Sequence, residues 1–199
     1  MAGSKHTNAT SFHRLFMLTA ARHGEADVLD GIRHAIALGA SHAVAQGYAW
    51  MALIADDPTL AGGDYRRLRT TAFLPDLGIA IVRDSWDDDA VAARFKCGPM
   101  GGYKANLWRQ ENRRANGTLP YLNVAHDQPD ANSFTLFGDG DYMVETDRYP
   151  TKPGKLSSSQ NTILVDGIGQ APPGGPEGDT WQQPSSGDMT EMGRITAFA

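Results

Sequence analysis

Nine consecutive residues, His126-Asp127-Gln128-Pro129-Asp130-Ala131-Asn132-Ser133-Phe134, collect an imidazole, carboxamides, two carboxylates and a hydroxyl. An imidazole exchanges protons near neutral pH, so His126 is the candidate general base or acid. The motif runs into Phe134-Thr135-Leu136-Phe137, whose alternating apolar pattern reads as a strand entering a core. With the chain extended as far as Pro129, residues two apart share a face: His126 and Gln128 project together and Asp127 points away.

Two later stretches extend this polar cluster. Tyr142–Asp147 is predicted to return beside the first strand through the turn Gly138-Asp139-Gly140-Asp141, with Glu145 and Asp147 on one face. A third strand is expected over Asn161–Val165, preceded by Gln160 and closed by Asp166-Gly167. Three such strands would bring His126, Gln128, Glu145 or Asp147, and Gln160 or Asn161 toward one point, where oxygen ligands suit a hard divalent cation. Asp130, Asn132 and Ser133 are expected to fix the turn's backbone through their side chains.

HDQPDANSF, the strand ending VETDRY and the segment QNTILVDGIGQ together resemble the heparinase II/III-like polysaccharide lyases. The resemblance is to the branch that carries His-x-Gln-Pro-Asp-x-Asn-Ser-Phe and is related to dermatan sulfate epimerase. Upstream, FLPDLGIAIVRDSW and ARFKCGPMGGY are similar to the first strands of that family's β-sandwich, so the resemblance covers roughly residues 70 to 170. It implies an α+β multidomain fragment: residues 1–70 as the end of an α/α toroid, and 71–199 as a truncated antiparallel β-sandwich. The implied activity is cleavage of a uronic-acid polysaccharide by β-elimination, with the full-length protein periplasmic or secreted. That chemistry needs the uronate neutralised, a base for the C5 proton and an acid for the departing O4.

His126 takes the base or acid role in this resemblance, and a divalent ion would sit at Gln128, Asp147 and Gln160. Many members have His at the position of Gln128 and commonly at that of Gln160. One carboxylate and two amides favour manganese or calcium over zinc. The family's partner Tyr, and a further His or Asn, come from the toroid upstream of Met1, so the chain alone is expected to be inactive. Two alternatives stay open: a uronyl C5-epimerase, which returns the proton, and a non-catalytic glycan-binding β-sandwich. Alginate, a glycosaminoglycan and ulvan present the same uronate, and the sequence does not choose among them.

Substrate contacts are expected from Tyr103–Pro120, read as a loop in which Lys104, Trp108, Arg109, Arg113 and Arg114 stand among aromatics. Such a mixture stacks on sugar rings and pairs with carboxylates or sulfates. An ordinary basic surface loop is the alternative. Gly98-Pro99-Met100-Gly101-Gly102 lacks the Gly-Lys-Ser/Thr ending of a phosphate cradle and reads as a flexible loop.

The elements that must carry these groups follow from periodicity. Residues 11–22, 25–38 and 41–56 have apolar residues at helical spacing, punctuated by Gly24, Gly39 and Ser41. His13, His23, His34 and His42 fall here as surface or helix-end residues. Asp56-Asp57-Pro58 and Gly62-Gly63 break the pattern before a short basic helix at Tyr65–Arg69, read as a solvated face. From Phe73 the period changes, and Gly78–Val82 and Ala90–Phe95 read as an antiparallel pair, which puts a domain boundary near residue 70. Ala171–Gly178 is too rich in Pro and Gly for regular structure, and Trp181 beyond it reads as a core anchor.

The whole chain, 199 residues with 41% hydrophobic, 21% charged and a net charge of -5, has ordinary globular composition. A modest acidic balance argues against a nucleic-acid partner and requires a local cationic cleft for a polyanionic glycan. One cysteine, Cys97, excludes an internal disulfide framework. No apolar run approaches the ~20 residues of a membrane span, and the first residues lack the apolar core of a signal peptide.

Overall fold

The computed structural model describes residues 12–35, 37, 56–122, 127–144, 156–170 and 193–198. The chain divides into two compact units, Met1–Arg69 and Thr70–Ala199.

In the first unit, α1 (Phe12–His23) ends on Arg22 and His23, cations that suit a helix C-terminus, and Gly24 then turns the chain at φ +70°. The second helix, α2 (Ala26–Ala35), packs against it. Met17 and Ala20 of α1 meet Leu29 and Ile32 of α2, with Val28 and Leu60 around them. Each pair is three residues apart, which puts both members on one helical face. The helix expected over 41–56 lies, but for Asp56, outside the described residues. Asp56 accepts two hydrogen bonds from the Arg33 guanidinium.

The basic helix expected at 65–69 is a single 3₁₀ turn, Tyr65–Arg67. Carboxylates take its leading amides: Asp64 accepts from Arg66 N, Asp30 from Tyr65 N, and Asp27 from Asp64 N. Tyr65 is buried and stacks on His34 with ring centroids 4.6 Å apart.

The second unit contains a five-stranded antiparallel sheet in chain order: β1 (Thr71–Leu74), β2 (Ile79–Arg83), β3 (Ala92–Lys96), β4 (Ser133–Gly138) and β5 (Asp141–Val144). The chain is therefore α+β. Gly78 permits the β1–β2 turn at φ +64°, where its missing Cβ lets the backbone of Cys97 approach.

Register sorts the sheet into two unlike faces. Phe73, Ala80, Phe95 and Phe134 form one cross-strand row, and Val82, Ala93 and Leu136 the next on the same side. These residues are apolar, with the polar Thr71 opposite Val82 at one edge, and Val82, Phe95 and Phe134 remain exposed. The opposite side carries Arg94 beside Thr135 and Lys96 beside Ser133.

Two expectations need correction. Tyr103–Pro120 is not one loop, because Tyr103–Glu111 forms a helix, α3. Gly102, at φ +83°, cannot cap it with a side chain, and Asp76 from the β1–β2 turn does so instead. Asp76 Oδ1 accepts Lys104 N–H at 2.6 Å and its carbonyl accepts Tyr103 N–H at 2.8 Å. The weak apolar periodicity of YKANLWRQE hid a helix whose start is fixed from 27 residues upstream. Replacing Asp76 with Ala should lower stability by about 1–2 kcal/mol, as loss of a cap does, read as an earlier urea midpoint with unchanged slope.

The strand expected at Asn161–Val165 is not formed. A 3₁₀ turn, Ser157–Ser159, precedes it, and only an isolated bridge joins Val165 to Ile168 across Asp166-Gly167. Both edges of β4 are already taken by β3 and β5, so no ladder beside it is open to this segment. Ile163 and Val165 are accordingly 78% and 70% exposed.

Candidate functional site

Lys96, the last residue of β3, is 7% exposed. An ammonium so far from water requires anionic partners. The acids of the motif supply them: Lys96 Nζ donates to Asp127 Oδ1 at 3.1 Å and to Asp130 Oδ1. Asp130, itself 5% exposed, also faces Arg94 Nη2 at 3.5 Å. The expectation that Asp130 fixes the turn through its side chain is thus corrected. The turn closes through backbone, Ser133 N to Asp130 O at 3.1 Å, with Asn132 at φ +60°, and the Asp130 carboxylate goes to the cations of β3.

Asp127 joins this charge cluster to a second element. Its Oδ2 accepts Gly101 N–H at 2.7 Å, and its Oδ1 also accepts Gln128 N–H at 3.0 Å. One carboxylate therefore binds the motif loop to β3 and to the loop that opens α3.

The segment that failed to form a strand holds the same loop from the other side. Gln170 Oε1 accepts Ala131 N–H at 2.9 Å while its Nε2 donates to Ala131 O at 2.6 Å, gripping both polar groups of that residue. Thr162 Oγ1 donates to Ala131 O at 2.6 Å, and Asn161 Nδ2 to Phe134 O at 3.2 Å. Ser157, fully buried, accepts Gln170 N–H at 2.8 Å and so orients that grip. Side chains replace the backbone ladder that periodicity predicts.

The expected site residues fall into three groups. His126, Glu145 and Asp147 lie outside the described residues. Gln128 is half-buried, and Gln160 is buried at the end of the Ser157–Ser159 turn, its N–H donating to Ser157 O at 3.0 Å. Among the described residues no three of His, Cys, Asp and Glu converge as metal ligands. Gln128 and Gln160 are neutral amides, and the carboxylate expected to join them in holding a divalent ion, Asp147, lies outside the described residues.

The basic residues of α3 separate by exposure. Lys104 and Trp108 are one helical turn apart on an open face with Leu107, and Trp108 is 54% exposed. Arg113 is exposed and donates to Gly117 O at 2.8 Å. Arg109 does not face solvent: it is 4% exposed, with Nε on Pro120 O at 2.8 Å and Nη1 on Asn106 Oδ1 at 3.3 Å. Burial lowers its pKa, and its contacts make it a brace between α3 and the chain leaving it.

Sequence reasoning missed Arg94, Lys96, Asp76 and Gln170. The available signal for the first two was the pair of cations two apart in Ala92-Ala93-Arg94-Phe95-Lys96, which alternation puts on one side of a strand. No protein-family model matches the chain, and no curated protein matches it.

Proposed function

We propose that this chain contributes the motif-bearing part of a polysaccharide lyase that cleaves a uronic-acid polymer by β-elimination, in the manner of the heparinase II/III-like enzymes. The observation that carries the reading is the meeting of the two segments on which the resemblance rests. Gln170, at the end of QNTILVDGIGQ, grips Ala131 inside HDQPDANSF. Residues so far apart in sequence have no local reason to clasp each other, and the clasp fixes the chain just after His126.

In this reading His126 exchanges the C5 or O4 proton, and Lys104 and Trp108 on the open face of α3 meet the uronate and the sugar ring. The Asp127 carboxylate ties that helix's leading loop to the residue next to His126. The largely apolar side of the sheet, with Phe95 and Phe134 exposed, suits a second sheet packed over it, as in a β-sandwich. The remaining catalytic groups would come from an α/α toroid, as the resemblance implies.

The test is ultraviolet detection of unsaturated uronate from alginate, glycosaminoglycan and ulvan. The complete protein, toroid included, should produce it from at least one polymer, and residues 1–199 alone from none. Solvent deuterium entering C5 without chain cleavage would replace the lyase by an epimerase. Neither cleavage nor exchange by the complete protein would remove the enzyme reading, and turnover by the isolated chain would put the whole catalytic set within it.

A further inference from the structure

A cavity of about 700 Å³ opens where the end of β1 and the following turn face the start of α3 and residues 194–195. Its walls are apolar: Phe73, Leu74, Pro75 and Leu77 on one side and Ile195 on the other. Leu74 and Leu77 are large aliphatic side chains left exposed there, which marks a surface suited to an apolar ligand.

The polar groups are few: two cations, Lys104 and Arg194, the Asp76 carboxylate and Tyr103. Lys104 and Arg194 line the cavity, and among the described residues neither side chain has a carboxylate partner. Asp76 also lines it, but its Oδ1 is committed to the Lys104 backbone N–H at 2.6 Å. Arg194 is held in place: its guanidinium lies over the Tyr103 ring, 5.2 Å from the centroid, and Tyr103 Oη donates to Gly193 O. Two cations beside an apolar recess select an anionic head on an apolar body. A sugar fits poorly, because its hydroxyls would lie against side chains that offer them no hydrogen bonds.

We propose that this cavity binds a small carboxylate with an aryl or alkyl body, its carboxylate between Lys104 and Arg194. The site shares Lys104 with the lyase reading, but its apolar walls and Arg194 take no part in that reading, and the binding test below does not depend on lyase activity. The experiment is calorimetric titration of the full chain with phenylpropionate, with phenylpropanol as the uncharged match and glucuronate as the polar one. Phenylpropionate should bind about tenfold tighter than phenylpropanol and tighter than glucuronate by at least as much. Lys104→Met and Arg194→Met should each weaken phenylpropionate several-fold and leave phenylpropanol unchanged, with melting temperatures confirming that both variants fold. Raising the salt concentration should narrow the gap between acid and alcohol. Equal affinity for acid and alcohol would overturn the proposal. So would glucuronate binding as tightly as phenylpropionate, no detectable binding of phenylpropionate, or folded variants that bind it as the parent does.

Discussion

On the proposed lyase reading, His126→Ala in a protein that also carries the toroid should lower the rate of unsaturated-uronate formation by about 100- to 10,000-fold, the span expected for losing a general acid or base. His126 is the only imidazole in the motif, and its neighbours are acceptors or neutral amides that cannot take over proton transfer at neutral pH. If it acts as the base it must be neutral to work, so kcat/KM should rise with pH as the imidazole loses its proton, and an acid role reverses the sign. Melting temperature should stay close to the parent's, because the loop after His126 is held by Lys96, Gly101 and Gln170. A variant that keeps a tenth or more of the parent's rate excludes His126 from proton transfer.

Much of the fold is legible in the sequence because it rests on local pattern. The change of apolar period at Phe73 marks where the sheet begins, and the strands around Ile81, Phe95 and Leu136 stand where alternation predicts. What escapes is set by partners distant in sequence. The start of α3 depends on Asp76 in another turn, and the periodicity of Tyr103–Glu111 is too weak to announce a helix by itself. Asn161–Val165 has the apolar residues of a strand, yet the side chains of Asn161 and Thr162 bond to the backbone of Phe134 and Ala131 where a backbone ladder is expected. Arg109 looks like its exposed neighbours in sequence, and only the path of the chain back to Pro120 buries it.

The candidate site divides along the same line. Which residues are chemical is legible from HDQPDANSF; which of them are structural is not. Asp127 reads as pointing away from His126 and Asp130 as a turn acid, but each answers a buried cation presented by a strand more than 30 residues earlier. Alternation places Arg94 and Lys96 on one side of β3 without saying that this side is covered.

Lys96→Met should destabilise this unit by roughly 3 kcal/mol, read from urea denaturation at unchanged slope. Methionine nearly fills the volume of the lysine stem, so cavity formation contributes little and the cost is electrostatic. Removing one partner of a buried pair typically costs about 3–5 kcal/mol, because the other is left charged and without solvent. Asp130 is that other partner, and the lower end applies because Arg94 stays 3.5 Å from its Oδ2. Asp130→Asn should cost less, since Lys96 keeps Asp127 at 3.1 Å and the amide oxygen can still accept from the ammonium. The double variant Lys96→Met/Asp130→Asn should recover part of the loss, because no unpaired charge then remains at that position. If the single and double variants are equally unstable, the cost lies in packing. If Lys96→Met costs under about 1 kcal/mol, the cluster behaves like a solvent-screened surface pair and cannot be what holds the residues after His126 in place.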